Sequence, residues 1–589
     1  MNMMIRHLAL GAALLVPLAV APAPAFAPAL LAALDPTRQA DALCDPRLGT
    51  MNPTRALLAA AAIAAPASQA DGVPLLPELA AMPLSLSPSN PEARRWFNQG
   101  LMLAYGFNHA GAVASFRRAQ AIDPTCALCW WGEAMALGPN INAPMDGRDR
   151  PAALAALDRA LALKDAADPR AQALITALAT RYSPAETADR AALDKAYADA
   201  MLAVAARYPV DDEIAVLAAE AVMDTSPWNY WLPDGKPVGL SAHAVRLLEG
   251  VLRRTPGHVQ AAHLYIHMLE LPDPARAEAA ADRLARAATV RGAAHLVHMP
   301  SHIWHRRGRY ADSIRVNLAA ARADEAWIAA TGDNGMLRYG YYPHNVHFIV
   351  TSALMAGDMA TVRAQASRLA GLMDAETSAS LGTVQAVDAA PFQAMAMIGT
   401  PADILAMPAP DARLPLAVAM RHFARATARA AQGDKAEFDA ERAALLALKQ
   451  HPGAATLAEQ GLPMAAIVDL ADHTAQGRWA MARRQYPQAA KHFRAAAAIE
   501  ATIPYMEPSY WHYPVNQSLG AALLLAGDAA GASAAFRAAL AQTPRNGWVL
   551  FGLAQSEKAQ GHKPEAAAAQ AAFARAWAGD PRWLKLERL

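Results

Sequence analysis

Ala and Leu carry most apolar positions of this chain and recur at helical spacing; no run of β-branched residues alternates with polar ones. Every regular element therefore reads as helix. The helices follow a pattern of about 34 residues. Trp96, Gly100, Ala112, Phe116, Ala119 and Pro124 take its positions 4, 8, 20, 24, 27 and 32, and Trp130 opens the next copy. Far along the chain Leu519, Gly520, Ala532, Phe536, Ala539 and Pro544 repeat the set, followed by Trp548. Partial copies stand at 308–310 (GRY) and 485–493 (QYPQAAKHF). Each position has a physical role. Small residues let paired helices approach, aromatics fill the seam, and the proline stops the second helix. The expected architecture is all-α, with helix-turn-helix repeats forming a superhelical solenoid.

This pattern resembles the tetratricopeptide repeat. Over roughly residues 80–589 the segments FNQGLMLAYGFNHAGAVASFRRAQAIDP, CALCWWGEAMALGPNINAP, HMPSHI and YYPHN are similar to a group of exported bacterial tetratricopeptide proteins. The resemblance implies the fold and export, and carries no settled activity. It also implies that the first helix of each repeat lines the concave face, through positions 2, 5, 9 and 12. Pro391, Pro401, Pro408, Pro410 and Pro415 predict a linker or break at 391–415, between an array at 71–390 and another at 416–589. Two aromatic-rich insertions, 225–240 (TSPWNYWLPDGKPVGL) and 331–343 (TGDNGMLRYGYYP), are expected on the binding face.

The register gives the histidines their meaning. Eight of eighteen lie between His263 and His347. His263-x-x-x-His267 recurs as His298-x-x-x-His302, with His295 and His305 on the same segment and His344 and His347 after it. Pro256, Gly308, Tyr310 and Gly357 set a register in which all eight take groove positions on three successive first helices. Glu220, set by Pro209, joins the row from the preceding repeat. Spacings of three and four share a helix face. Pro300 interrupts the row, and a helix starting there would carry His295, and even His298, off the face.

Neutral imidazole is the commonest metal ligand. His263, His267, His298, His302, His344 and His347 are the leading candidates, with His295, His305 and Glu220 as further members. Nitrogen ligation suits copper or zinc, with iron as an alternative, and disfavours magnesium and calcium. Six histidines exceed the three protein ligands of a mononuclear catalytic site and point to two ions. In ligand spacing alone, the paired helices resemble the coupled dinuclear copper proteins, which implies three histidines per copper. Glu220, Asp224 and Glu270 offer a mixed site or outer partners instead.

Composition narrows the rest. With 53 basic and 52 acidic residues the chain has no basic patch for nucleic acid. No stretch beyond the targeting region is apolar enough to span a bilayer. Phosphate-loop, nucleophile-elbow and H-E-x-x-H motifs are absent. The expected partner is a small molecule or peptide in the groove. Two classes of function stay open: a metal-dependent oxidoreductase or hydrolase, and a non-enzymatic scaffold or periplasmic metal-binding protein.

Residues 1–70 read as a targeting region, with cleavage after Ala70 favoured over cleavage after Ala27, so a periplasmic or secreted location is expected. Cleavage at Ala70 removes Cys44 and leaves Cys126 and Cys129, an even pair suited to an oxidising compartment. The exported protein is expected to begin at Asp71 with a structural Cys126–Cys129 disulfide. Intact mass before and after alkylation checks both: a chain beginning at Pro28, or two alkyl groups taken up without reduction, overturns them.

Overall fold

A computed structural model describes residues 72–589 save Glu186, Pro233 and Leu381; the targeting region expected at 1–70 lies outside them. The described residues form a succession of antiparallel helix pairs. Among them the one extended pairing is an isolated bridge between Trp231 and Pro237.

The repeat pattern explains the packing. Asn90 caps helix Pro91–Tyr105, its side chain accepting from the N–H groups of Glu92 and Ala93. Helix His109–Ile122 packs back on it and brings Phe116 into the seam. Phe116 is fully buried. A Cβ added at Gly100 would stand 2.8 Å from its ring, and one at Gly132, in the next repeat, 2.5 Å. One phenylalanine thus fills the gap left by two glycines. Phe536 does the same against Gly520 and Gly552, and Phe493 sits against Gly477. The turns joining paired helices need a left-handed residue, and Gly308, Gly357, Gly433, Gly527 and Gly561 supply it. Phe107 and Arg484 hold the same conformation, at φ 55° and 58°.

The superhelix closes on itself twice. A first apolar core runs from Leu79 to Tyr341. Its first repeat meets its last: Gly111 lies against the Trp327 indole, and Asn142 Nδ2 donates to the Tyr341 hydroxyl at 3.0 Å. A second core runs from Tyr310 to Leu589. There Trp548 Nε1 donates to the Leu354 carbonyl at 2.9 Å, and Tyr310 donates to the Pro544 carbonyl at 2.9 Å. Helix Tyr310–Thr331 serves both circles, giving Trp327 to the first core and Tyr310 to the second.

Segment 391–415 contributes to the second core at its two ends and at Ile404, while Pro408, Ala409, Ala412 and Arg413 are exposed. Pro391 is buried within helix Gln385–Ile398, Pro401 opens helix Pro401–Leu405, and Pro415 opens helix Pro415–Gln432. At a first helical position the missing N–H costs nothing, so two of these prolines start helices. Phe392, Ile404 and Leu416 pack into the common core.

Phe116→Ala is expected to destabilise the N-terminal repeats by about 3–5 kcal/mol, the usual cost of emptying a buried aromatic site. Urea unfolding followed by circular dichroism reads it; an unchanged midpoint would show that Phe116 does not hold the seam.

Candidate metal centre

Four helices deliver the histidines. Helix Val259–Leu269 places His263 and His267 one turn apart. Helices Ala294–His298 and Pro300–Arg306 meet at Met299, whose φ of −49° and ψ of −40° are helical. The row therefore continues through Pro300, and both His295 and His298 stay with His302. Helix Tyr342–Ala356 follows a wide turn at Leu337–Tyr341 and carries His344 and His347.

Six of these imidazoles form two triads. His263, His267 and His295 make one, and His298, His302 and His344 the other; within each, ligand nitrogens lie within 4.8 Å of one another. Nitrogens bound to one ion at about 2.0–2.1 Å stand roughly 3–4 Å apart, so each triad needs only a small contraction. The triads adjoin, with the His267 and His302 rings 5.5 Å apart and those of His295 and His298 5.7 Å apart. None of the six is more than 5% exposed. The expected open groove is thus a closed interior. Phe107 covers it from the first repeat, and the segment between helices Tyr486–Glu500 and Val515–Leu525 brings Glu507 and His512 over it from the second circle.

Outer partners set the tautomers. His263 Nδ1 lies 2.9 Å from Gln260 Oε1, and Gln260 Nε2 donates to Glu220 at 3.2 Å, which fixes the amide. His298 Nδ1 lies 2.6 Å from Asn317 Oδ1, whose Nδ2 donates to the Ser313 carbonyl at 2.8 Å. His302 Nδ1 is held by Glu270, at 2.7 Å, and by Glu507. Each of these rings donates its Nδ1–H outward and leaves Nε2 as the inward ligand atom, the arrangement metal-bound histidines adopt. Glu270, His302 and Glu507 also form a group of their own. Because His302 Nε2 meets His298 Nε2 at 2.8 Å, the carboxylates take Nδ1 and serve as outer partners. His295 has no hydrogen bond at either nitrogen, and His267 has only Glu270 Oε1, 3.6 Å from its Nδ1. Core histidines without a ligand would be paired, since each unmet buried group costs about 1–3 kcal/mol. The donor set therefore fits bound metal.

Electrostatics agree. Burial pushes His263, His295, His298 and His344 well below the ordinary imidazole range, toward the neutral, metal-binding form. His302 runs the other way. Burial opposes its charge, but Glu270 and Glu507 outweigh it and raise the ring to about 10. A proton then lies between His298 and His302, where an ion would otherwise be shared by their Nε2 atoms.

Aromatic rings line the triads. The Phe107 ring lies 4.7 Å from His263 and 4.9 Å from His295. Phe348 lies 5.0 Å from His298, His302 and His344. Both insertions reach the centre, Trp228 at 4.9 Å from His267 and Tyr341 at 4.9 Å from His295.

Three expected ligands fall outside the triads. His347 Nε2 pairs with His512 Nε2 at 2.8 Å, because its place on the helix turns it toward the second circle. His305 Nδ1 lies 3.0 Å from the Ser352 hydroxyl. Glu220 lines a separate cavity with Arg181 and Asp224, where burial and Asp224 push it up to about 8; it reaches the centre only through Gln260. Cys126 and Cys129 are joined as a disulfide, with Cα atoms 5.3 Å apart, at the start of helix Ala127–Ala136. Sequence reasoning missed Glu507 and Phe107. Nothing in the repeat register pointed to Glu507. Phe107 had one signal, a bulky residue at a turn where most repeats carry glycine.

The fold and interior define an all-α repeat protein with a polyhistidine centre. No family model matches the chain, and no curated protein does. Among solved structures it is similar to the human IFIT1 dimer with m7Gppp-AAAA (13% identity, TM-score 0.30, covering 83% of this chain and 96% of that one). It is also similar to the APC/C hetero-tetramer Cut9-Hcn1 (12%, 0.26, 83% and 96%) and the P58(IPK) TPR domain (12%, 0.19, 80% and 99%). The tetratricopeptide reading rests on the Phe–Gly seams described above.

A folded-state pKa raised above the unfolded value gives stability below the unfolded value, lost as pH rises through the folded one. Metal-free protein is therefore expected to lose a His302-linked contribution between about pH 6.5 and about 10. Thermal melts across that window check it. Glu507→Gln should flatten the fall, and an identical slope in the variant counts against the pairing.

Proposed function

We propose that this protein is a metalloprotein whose two tri-histidine sets hold two adjacent transition-metal ions, copper ahead of zinc or iron. The observation that carries this reading is the convergence of six buried imidazoles in two triads, three of them held by outer acceptors in the metal-binding tautomer. All-nitrogen ligation favours copper and zinc over harder cations. Bound copper would supply redox chemistry with a small oxidant, and bound zinc would supply Lewis acidity. The enclosure favours redox chemistry on a molecule of a few atoms, because a larger substrate for hydrolysis needs a wider approach. The chain's own residues hold the ligand tautomers, exclude water through Phe107, Phe348 and Trp228, and place Glu507 to take the His302 proton.

One observation favours a second reading. Ligands this deeply buried suit a carrier that keeps its metal rather than turning substrate over, and an ion with no position open to a small molecule would decide for it. Export to the periplasm or beyond belongs to the proposal too, supported by the Cys126–Cys129 bridge.

Metal analysis of untagged protein tests the reading. About two transition-metal ions per chain are expected, falling to none when His263, His267, His298 and His302 are replaced by Ala. Unchanged stoichiometry in that variant would refute the assignment. Glu507→Gln should weaken metal binding by about 10–100-fold, the usual effect of losing an outer carboxylate.

A further inference from the structure

Beside His295 the interior leaves a small cavity. Asp324, Trp327, Leu337, Tyr341 and Ala293 line it together with His295 itself. It has room for about one water-sized molecule. Three of its lining residues carry buried polar atoms without partners. Asp324 Oδ1, Trp327 Nε1 and both nitrogens of His295 make no hydrogen bond within the protein. All three residues are more than nine-tenths buried, at 1%, 6% and 5% exposure. The other carboxylate oxygen, Oδ2, accepts from Asn345 Nδ2 at 2.7 Å, so the carboxyl is fixed in place.

His267 of the same triad is covered by two aromatic rings. Among the described residues only Phe107, Trp228, Arg484 and Arg545 are non-glycine residues at positive φ. The first two are aromatic, and both lie against His267, at 6.1 and 4.9 Å. A bulky residue held there costs roughly 1–3 kcal/mol, a strain concentrated where the triad is covered. The Trp228 indole is tied to Asn142 Oδ1 at 3.0 Å, and Asn142 to Tyr341. The cavity adjoins the first triad through His295, which belongs to both.

We propose that this cavity is a binding site for a small uncharged hydroxylic molecule, of the size of water or hydrogen peroxide. In it Trp327 Nε1–H donates to the ligand and Asp324 Oδ1 exchanges a hydrogen bond with it, at the edge of His295. The proposal rests on the metal reading only for its consequence, that the ligand meets the first triad. The chemistry of the lining selects the class. One donor, one carboxyl oxygen and an imidazole edge suit a molecule that both donates and accepts. No Lys or Arg lines the cavity to hold an anion. Burial pushes Asp324 up to about 8, which accords with a neutral guest.

Two measurements test it. A crystal structure of the metal-free protein at atomic resolution should show an ordered molecule hydrogen-bonded to Asp324 Oδ1 and Trp327 Nε1; a dry cavity overturns the proposal. Copper-loaded protein is then titrated with hydrogen peroxide and followed by optical absorption. Asp324→Leu, near in shape to the original and unable to hydrogen-bond, and Trp327→Phe, which removes the indole N–H with part of the ring, should each raise the peroxide Kd about tenfold, the scale of one lost hydrogen bond, with copper content unchanged. Peroxide affinity unaltered in both variants overturns the peroxide assignment, and the crystallographic occupant then identifies the ligand as water. Copper lost from either variant overturns the ligand role and makes the residue a support for His295. Wild-type protein that takes up no copper removes the metal reading alone, because the metal-free structure still reports on the cavity.

Discussion

A buried imidazole must find a partner, and here six converge where the protein supplies too few. This constraint organises the interior. A single unpaired histidine is an expensive defect. Six, arranged as two triads with three Nδ1 atoms already engaged outward, form a donor set that answers to metal. The polar residues around them, Gln260, Asn317, Glu270 and Glu507, are themselves buried and placed to orient rings. They cost desolvation, which their hydrogen bonds and ion pairs to the imidazoles offset.

The repeat fold makes such a site possible. Successive first helices present the same face at fixed spacing, so histidines at matching positions meet side by side. Solenoids usually leave that face open. Here the array closes into two circles sharing helix Tyr310–Thr331, and closure converts a lined surface into an enclosed chamber. The chamber's walls come from distant parts of the chain: Phe107 from the first repeat, Trp228 and Tyr341 from insertions, Glu507 and His512 from the second circle. Low polarity in the chamber keeps most imidazoles neutral. Carboxylates on one side make His302 the exception.

The helix pairs, the Phe–Gly seams and the clustering of His263, His267, His298, His302 and His344 were all legible in the sequence, because they depend on contacts within a repeat or between adjacent ones. At that range a 34-residue period and a spacing of four determine which side chains share a face. Pro300 shows the limit of this reasoning. It marked a true helix boundary, but whether the chain bends there or carries on depends on Met299 keeping helical angles, and packing decided that.

What only the tertiary structure decided lies at longer range. The return of the superhelix takes small rotations summed over many repeats, and no local pattern records the sum. Hence Glu507 was not foreseen beside His302, 205 residues earlier, and His347 turned to His512 rather than to the triads. Of the prolines in 391–415, Pro401 and Pro415 open helices and Pro391 lies within one, since a proline at a first turn begins a helix as readily as it ends one. The sequence determined a row of histidines on one face of a helical array. Closure of the array determined that the row would be buried, divided into two sets of three and provided with carboxylates, because burial and partners follow from where distant segments come to rest.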